Sequence, residues 1–175
     1  PHREALDTDK FFVYNRIVAA ELELFREENI PLNSEAELLS QQYNGVIGSM
    51  SVNIDGQEYT LQQANKFLQS TDRKKRQHVW ERVQERRTSD AEKIDDIFNK
   101  LVNIRTDIAT NAGFDSYTDY KYKDLGRFDY TREDVADFRK AIANVVRPVT
   151  EQMHEDRRSA MGLDALRPWD LAVDP

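Results

Sequence analysis

Apolar residues along this chain recur mostly at steps of three and four, the spacing of a helix that buries one face. The longest such run lies between Arg132 and Met161, where Val135, Phe138, Ile142, Val145, Val149 and Met153 form one stripe. Thr131 is placed to accept from an orphan N–H of the first turn, and Glu133 and Asp134 put negative charge at the positive end of the helix dipole. Gly162 supplies the left-handed residue that closes a helix, and Pro168 bars an easy restart. Pro148 removes one backbone donor inside the run and predicts a kink near Asn144 to Arg147. The stripe is expected to continue past the kink and to face a core.

The same pattern predicts further helices. Residues Pro1 to Asp9 have no periodicity and are expected to form a poorly ordered end. Val13, Ile17, Val18, Leu22 and Phe25 mark a first helix within Phe11 to Asn29, with Pro31 ending it. Ser34 with Glu37 reads as a capping box for a second helix buried through Leu38, Leu39, Tyr43, Val46 and Ile47. Alternation then replaces helical spacing. Ser51 to Ile54 and Gln57 to Thr60 flank Asp55-Gly56, the dipeptide suited to a type I′ turn, and predict a hairpin leaning on neighbours through Val52, Ile54 and Tyr59. Thr60 with Gln63 predicts a capping box before Leu61, Ala64, Phe67 and Leu68. Thr71 and Asp72 open a helix carrying Val79, Trp80 and Val83. Ser89 with Glu92 reads as another box, before Ala91, Ile94, Phe98, Leu101, Ile108 and Ala112, with Gly113 as the stop; two helices or one bent rod both fit. Asp115 or Ser116 then caps a short helix with Tyr117, Tyr120 and Tyr122.

Composition sharpens this into a mainly helical, all-α class, a bundle of amphipathic helices with one short β-hairpin near residues 51–60. Of 175 residues 39% are hydrophobic and 33% charged, the balance of helices with solvated outer faces. The net charge of −7 argues against a nucleic-acid binder. With no cysteine there is no disulfide framework or thiol nucleophile. No apolar run is long enough to span a bilayer and none near the start is signal-like, so a soluble, cytoplasmic chain without membrane partners is expected. No repeat or linker interrupts residues 1–175, and one helical domain is the simplest reading. The opening on Pro1 and the stop at Pro175 suggest a piece of something longer.

Candidate chemistry is sparse. The three histidines, His2, His78 and His154, stand apart. His154-Glu155 would begin a zinc-binding HExxH, but Arg158 occupies the last position and cannot ligate a metal. Glu151 and His154 make one Glu-x-x-His, whereas a di-iron bundle needs two copies and two further carboxylates. No catalytic, cofactor-binding or metal residue is therefore assigned. The run Arg73-Lys74-Lys75-Arg76, with Arg86 and Arg87, reads as a solvated face paired with Glu81 and Glu85 in preference to a phosphate patch. Tyr117, Tyr120, Tyr122 and Tyr130 suit packing more than a binding surface. Arg167, Trp169 and Asp170 suggest a docking knot in which Trp169 buries area and Arg167 pairs with a carboxylate.

The succession NAGFDSYTDYKYKDLGRFDYT (Asn111 to Thr131), followed by a helix ending in RRSAMGLDALRPWDLAVDP (Arg157 to Pro175), resembles the middle, non-catalytic region of M3 family zinc metallopeptidases of the oligoendopeptidase F type. The resemblance implies a mostly helical peptidase that cleaves short peptides in a cavity, with zinc on two histidines of HExxH and a later glutamate. It places that motif beyond Pro175, so none of those residues is carried over. It further implies zinc in the full-length parent but none in this chain, and the remaining catalytic portion of the same protein as partner. The chain alone is expected to be inactive and to self-associate through faces meant for the missing portion. The alternatives are a stand-alone helical interaction module, with the aromatic cluster and arginine run as its surface, and an intact metal-binding bundle.

Overall fold

A computed structural model describes residues 7–174. In chain order the elements are α1 (Phe12–Leu24), α2 (Asn29–Gly48), β1 (Ser51–Ile54), β2 (Gln57–Thr60), α3 (Leu61–Ala64), α4 (Arg73–Ser89), α5 (Ala91–Asn111), α6 (Tyr117–Asp124) and α7 (Arg132–Ala160). Short 3-10 turns at Asn65–Gln69 and Pro168–Asp170 complete them. The protein is thus mainly helical with one two-stranded antiparallel hairpin. Among the described residues no helix is long and apolar enough to cross a membrane. The expectation for the chain start falls largely on residues 1–6, which lie outside the described residues. Asp7 itself accepts from the N–H groups of Asp9 and Lys10 at 3.0 Å each and organises a turn before α1.

The chain divides into two compact units, with divisions inside α2, between Asp96 and Ile97 of α5, and after Asp134 near the start of α7. One unit holds the chain up to Gln41 together with Ile97–Asp134. Its core draws on Ala20, Leu24, Leu39, Ile97, Leu101, Ile104 and Ile108. The break between its first two helices falls earlier than the proline suggested. Phe25 turns extended (φ −64°, ψ 128°), and α2 begins at Asn29 with Pro31 in its first turn, where a missing N–H is harmless. The reason lies across the unit. The Arg26 guanidinium donates to the carbonyls of Asn111 (3.1 Å) and Ala112 (3.3 Å), and the buried Asn29 amide donates to Ile108 (3.0 Å) while accepting from Asn111 (2.9 Å). These side chains satisfy carbonyls at the end of α5, and a cation there also suits the helix dipole. Ser34 consequently lies inside α2, its hydroxyl donating to the Ile30 carbonyl at 3.1 Å, and the proposed box with Glu37 does not form.

The second unit holds Gln42–Asp96 and the chain from Val135 onward. The hairpin forms as predicted, with Asp55 at φ 55° and Gly56 at φ 84°, and Val52 pairs with Tyr59. It is not left to stand alone: Val52 and Ile54 pack with Ala64, Val79 and Val83 under Tyr59, Leu61, Phe67 and Leu68. The Thr60–Gln63 box closes reciprocally at 3.2 and 2.9 Å and carries the strand directly into α3. Asp72 caps α4 by accepting from Lys74 and Lys75 at 2.9 and 3.3 Å.

Two helices, not a bent rod, follow. Asp90 separates α4 from α5 with φ −104° and ψ 5°, and Ser89 donates back to Arg86 at 2.7 Å instead of capping α5 with Glu92. In α5 the buried line runs Ile97, Leu101, Ile104, Ile108, so Phe98, expected inside, is exposed. Glycines at φ 83° and φ 62° (Gly113, Gly162) end α5 and α7 as expected, each followed by a residue that donates five positions back.

The N-terminus of α7 is built as read: Asp134 donates to the Thr131 hydroxyl at 3.1 Å and its carboxylate accepts from the Thr131 N–H at 2.7 Å. The helix is continuous through Pro148. Its stripe, however, meets no core among the described residues. No residue of α7 is buried, and Phe138, Val145 and Met153 are 66%, 66% and 63% exposed.

The packing contrast is open to test. Ile54→Ala, at a site 1% exposed, should lower stability by about 2–5 kcal/mol in urea unfolding. Leu22→Ala, at a site 70% exposed, should change it by no more than about 0.5 kcal/mol.

Candidate functional site

The most constrained polar site lies in the second unit and is centred on Asp170. Arg73 and Arg76, three residues apart on α4, project from one side of the helix. The 3-10 turn begins with Pro168, whose fixed φ suits a first helical position, and ends by setting Asp170 between the two guanidinium groups. Arg73 donates through Nε (3.0 Å) and Nη2 (2.8 Å), Arg76 through Nη2 (2.9 Å), and the Arg167 backbone N–H adds a fourth bond at 3.0 Å. Arg76 spends its other donors on carbonyls of Trp169 (2.9 Å), Ser70 (2.8 Å) and Thr71 (3.2 Å). Arg157 donates to the carbonyl of Val173, and the Trp169 ring meets Trp80 edge-on at 5.4 Å.

Asp170 is fully buried and Arg76 nearly so. Burial alone would raise the carboxyl, but the hydrogen bonds from Arg73 and Arg76, then the Arg167 N–H, outweigh it and hold the group at about 2. The same pairing raises Arg73 above its ordinary value. Such a carboxylate has its lone pairs occupied and is a poor base, so its chemistry is structural: it ties residues 165–173 to α4.

This arrangement revises two sequence expectations. The basic run is neither a phosphate patch nor simply a solvated face, because two of its arginines are directed onto a carboxylate more than ninety residues later. Arg167 enters the knot through its backbone, and Asp170 is the carboxylate at the centre. The signal present in sequence was a pair of arginines just inside an Asp-capped helix start; nothing local to them identified the acceptor.

The other candidates are not brought together. His154 is exposed on α7. Beside it Glu151 accepts from Arg147 at 2.7 Å, and Glu155 accepts from Arg158 at 2.8 and 2.5 Å, a bond that holds Glu155 below the usual carboxylate range. His78 is exposed on α4, and His2 lies outside the described residues. Among the described residues no group of three or more His, Cys, Asp or Glu side chains could hold a metal ion. The donor set around His154 does not fit zinc, because its two neighbouring carboxylates are held by arginines.

In the first unit the tyrosines pack. Tyr117 and Tyr120 stack at 5.8 Å, Phe114 meets Tyr120 edge-on at 5.7 Å, and Tyr122 meets Tyr130 at 6.2 Å. Burial raises the Tyr120 phenol. Arg16 joins α1 to the LGRFDYT segment, donating to Asp129 at 2.7 Å with its guanidinium 4.6 Å from the Phe128 ring centre. A cleft of about 400 Å³ opens beside these residues, lined by Leu24, Phe25, Asn29, Tyr120, Leu125 and Phe128 among others. It was not legible in the sequence, because its walls come from residues 17–33 and 120–128, which only the fold brings together.

Fold and site together define a mainly helical protein with a buried ionic tie between Asp170 and two arginines of α4. The chain belongs to peptidase family M3, whose sequence model matches residues 66–173. It is similar to three solved structures. A protein described as an oligoendopeptidase F from Bacillus anthracis str. Ames shares 26% identity at a TM-score of 0.91, over 99% of this chain and 32% of that one. A PZ peptidase A solved with an inhibitor shares 29% identity at 0.90, over 95% and 30%. Another protein described as an oligoendopeptidase F shares 25% identity at 0.93, over 99% and 31%. The chain thus spans about a third of the length of these structures. No curated protein matches it.

The tie predicts a pH signature. Asp170→Asn should lower stability at pH 7 by about 3–5 kcal/mol, because two arginines lose their buried partner. Asp170 titrates at about 2 when folded, against about 3.9 for an ordinary aspartate, so its contribution is present above about pH 4 and is lost as pH falls toward 2. Denaturant unfolding of both proteins across that range should show the gap between them narrowing as pH falls.

Proposed function

We propose that this chain is a helical portion of a zinc-dependent oligopeptidase, lying ahead of the metal-binding helix, and that it does not hydrolyse peptides by itself. The observation that carries the reading is the combination of M3 membership with a span of only about a third of the similar peptidase structures. The local chemistry supports it, since the glutamate of the Glu-x-x-His, Glu151, is bound by Arg147, Glu155 is bound by Arg158, and Arg158 stands where a second histidine ligand would be needed. In the full-length protein the portion would serve as scaffold and as part of the wall around a cavity for short peptides, positioning substrates and excluding long ones. Its first partner would be the zinc-bearing remainder of the same polypeptide, where the metal would activate water and polarise the scissile carbonyl. The rival reading of the arginine run as a partner-binding surface is weakened by the commitment of Arg73 and Arg76 to Asp170.

A quenched fluorogenic peptide incubated with the purified chain should stay uncut with or without added zinc, and elemental analysis should find less than about a tenth of a zinc per chain. Zinc-dependent cleavage abolished by a chelator and restored by zinc would refute the assignment.

A further inference from the structure

The apolar stripe of α7 runs on into a groove that the segment after α7 completes. At about 100° per residue Phe138, Ile142, Val149, Met153 and Ala160 fall within about 35° of one direction on the helix. No charged residue interrupts that direction between Val135 and Met153, and the ion pairs Lys140–Asp137 (2.9 Å) and Arg147–Glu151 (2.7 Å) lie on the opposite half. Beyond it a groove of about 470 Å³ opens, lined by Met153, Arg157, Ala160 and Leu171 among others. Leu171 is 45% exposed, although it directly follows the fully buried Asp170. Its place beside α7 is set from both sides. Asp170 is bound by Arg73 and Arg76 of α4, and Arg157 of α7 donates to the carbonyls of Asp170 (3.4 Å) and Val173. The surface is therefore composite, a helix stripe and a loop leucine held in one piece.

We propose that this composite surface is the seam on which a helix from the remainder of the same polypeptide packs, an inference that rests on the reading above of the chain as one portion of a longer protein. A helix bonds its backbone donors and acceptors internally, so α7 offers no edge to a strand and is covered by side-chain packing alone. From Phe138 to Met153 the stripe is about 22 Å long, which matches about four turns of a second helix. Its lack of charge calls for an apolar face on that helix, and the groove beside Leu171 takes one bulky apolar side chain at the end of the stripe. The occupant is identified by what accompanies the same fold elsewhere. It recurs at TM-scores of 0.90 to 0.93 in chains about three times as long, so roughly two thirds of their length lies outside it.

The chain has no cysteine, so single thiols introduced on the seam are read by the mass of the peptide that carries them. Val145→Cys and Leu171→Cys mark the seam, and Lys140→Cys marks the opposite half of α7. In the chain by itself all three should react with a maleimide within about threefold of one another, as exposed thiols do. In the longer polypeptide of the same reading frame the first two should slow at least about 100-fold, and Lys140→Cys should not. Adding Val149→Glu there should speed labelling of Val145→Cys at least about tenfold, because an apolar helix leaves a buried charge unpaired. In the chain by itself the same substitution should leave the helical circular dichroism unchanged. Full-rate labelling of Val145→Cys or Leu171→Cys in the longer polypeptide, or equal slowing of Lys140→Cys, would overturn the proposal. Slow labelling of Val145→Cys in the chain by itself, deepening with concentration, would overturn it in favour of a second copy. Labelling is independent of hydrolysis. Protection in a longer polypeptide that cuts no peptide would refute the peptidase reading alone, and full-rate labelling in one that does cut would refute the seam alone.

Discussion

A carboxylate with no exposure to solvent must be matched by hydrogen bonds, and in this protein that demand organises the second unit. Asp170 draws Arg73 and Arg76 from the first turn of α4, and through Arg76 it also engages the carbonyls of Ser70, Thr71 and Trp169. One buried charge therefore gathers the turn before α4, the helix itself and the segment after α7. Such a tie adds less net stability than an apolar core of the same volume would, but it tolerates fewer alternative arrangements. Here it holds the segment after α7 against α4.

The first unit uses the same device in a milder form. Arg26 and Asn29 are directed at the carbonyl end of α5, and Arg16 spans from α1 to Asp129 over the Phe128 ring. In both units arginine holds together segments that apolar packing alone leaves loosely fixed. The high charge fraction is thus partly internal structure and not only a solvated exterior. The apolar counterpart is α7, whose regular stripe the described residues leave uncovered. For a helix in an isolated domain that would be wasteful. It is ordinary for a helix whose partner is another chain or another part of a longer one.

The legible parts of the fold were those specified within a few residues. The Asp55-Gly56 turn, the Thr60–Gln63 box, the Thr131 cap and the glycines at 113 and 162 each depend on local backbone geometry that particular side chains favour. The misread parts shared the opposite property. Ser34 and Ser89 were adequate caps by type, yet both sit inside helices because Asn29 and Asp90 mark the boundaries. Pro31 was equally compatible with ending one helix and with starting the next, and the requirement to satisfy the end of α5 decided between them.

Family membership was legible for a related reason: the phrases around LGRFDYT and RPWDL retain an order that composition does not demand. By itself the sequence determined the helical class, the hairpin and most caps, all matters of spacing along the chain. Tertiary structure alone decided that Arg73 and Arg76 serve Asp170, that Phe98 lies outside while Ile97 and Ile104 lie inside, and that the best-formed stripe is uncovered. The physical reason is that periodicity specifies which residues share a face, while only the packed chain determines what, if anything, lies against it.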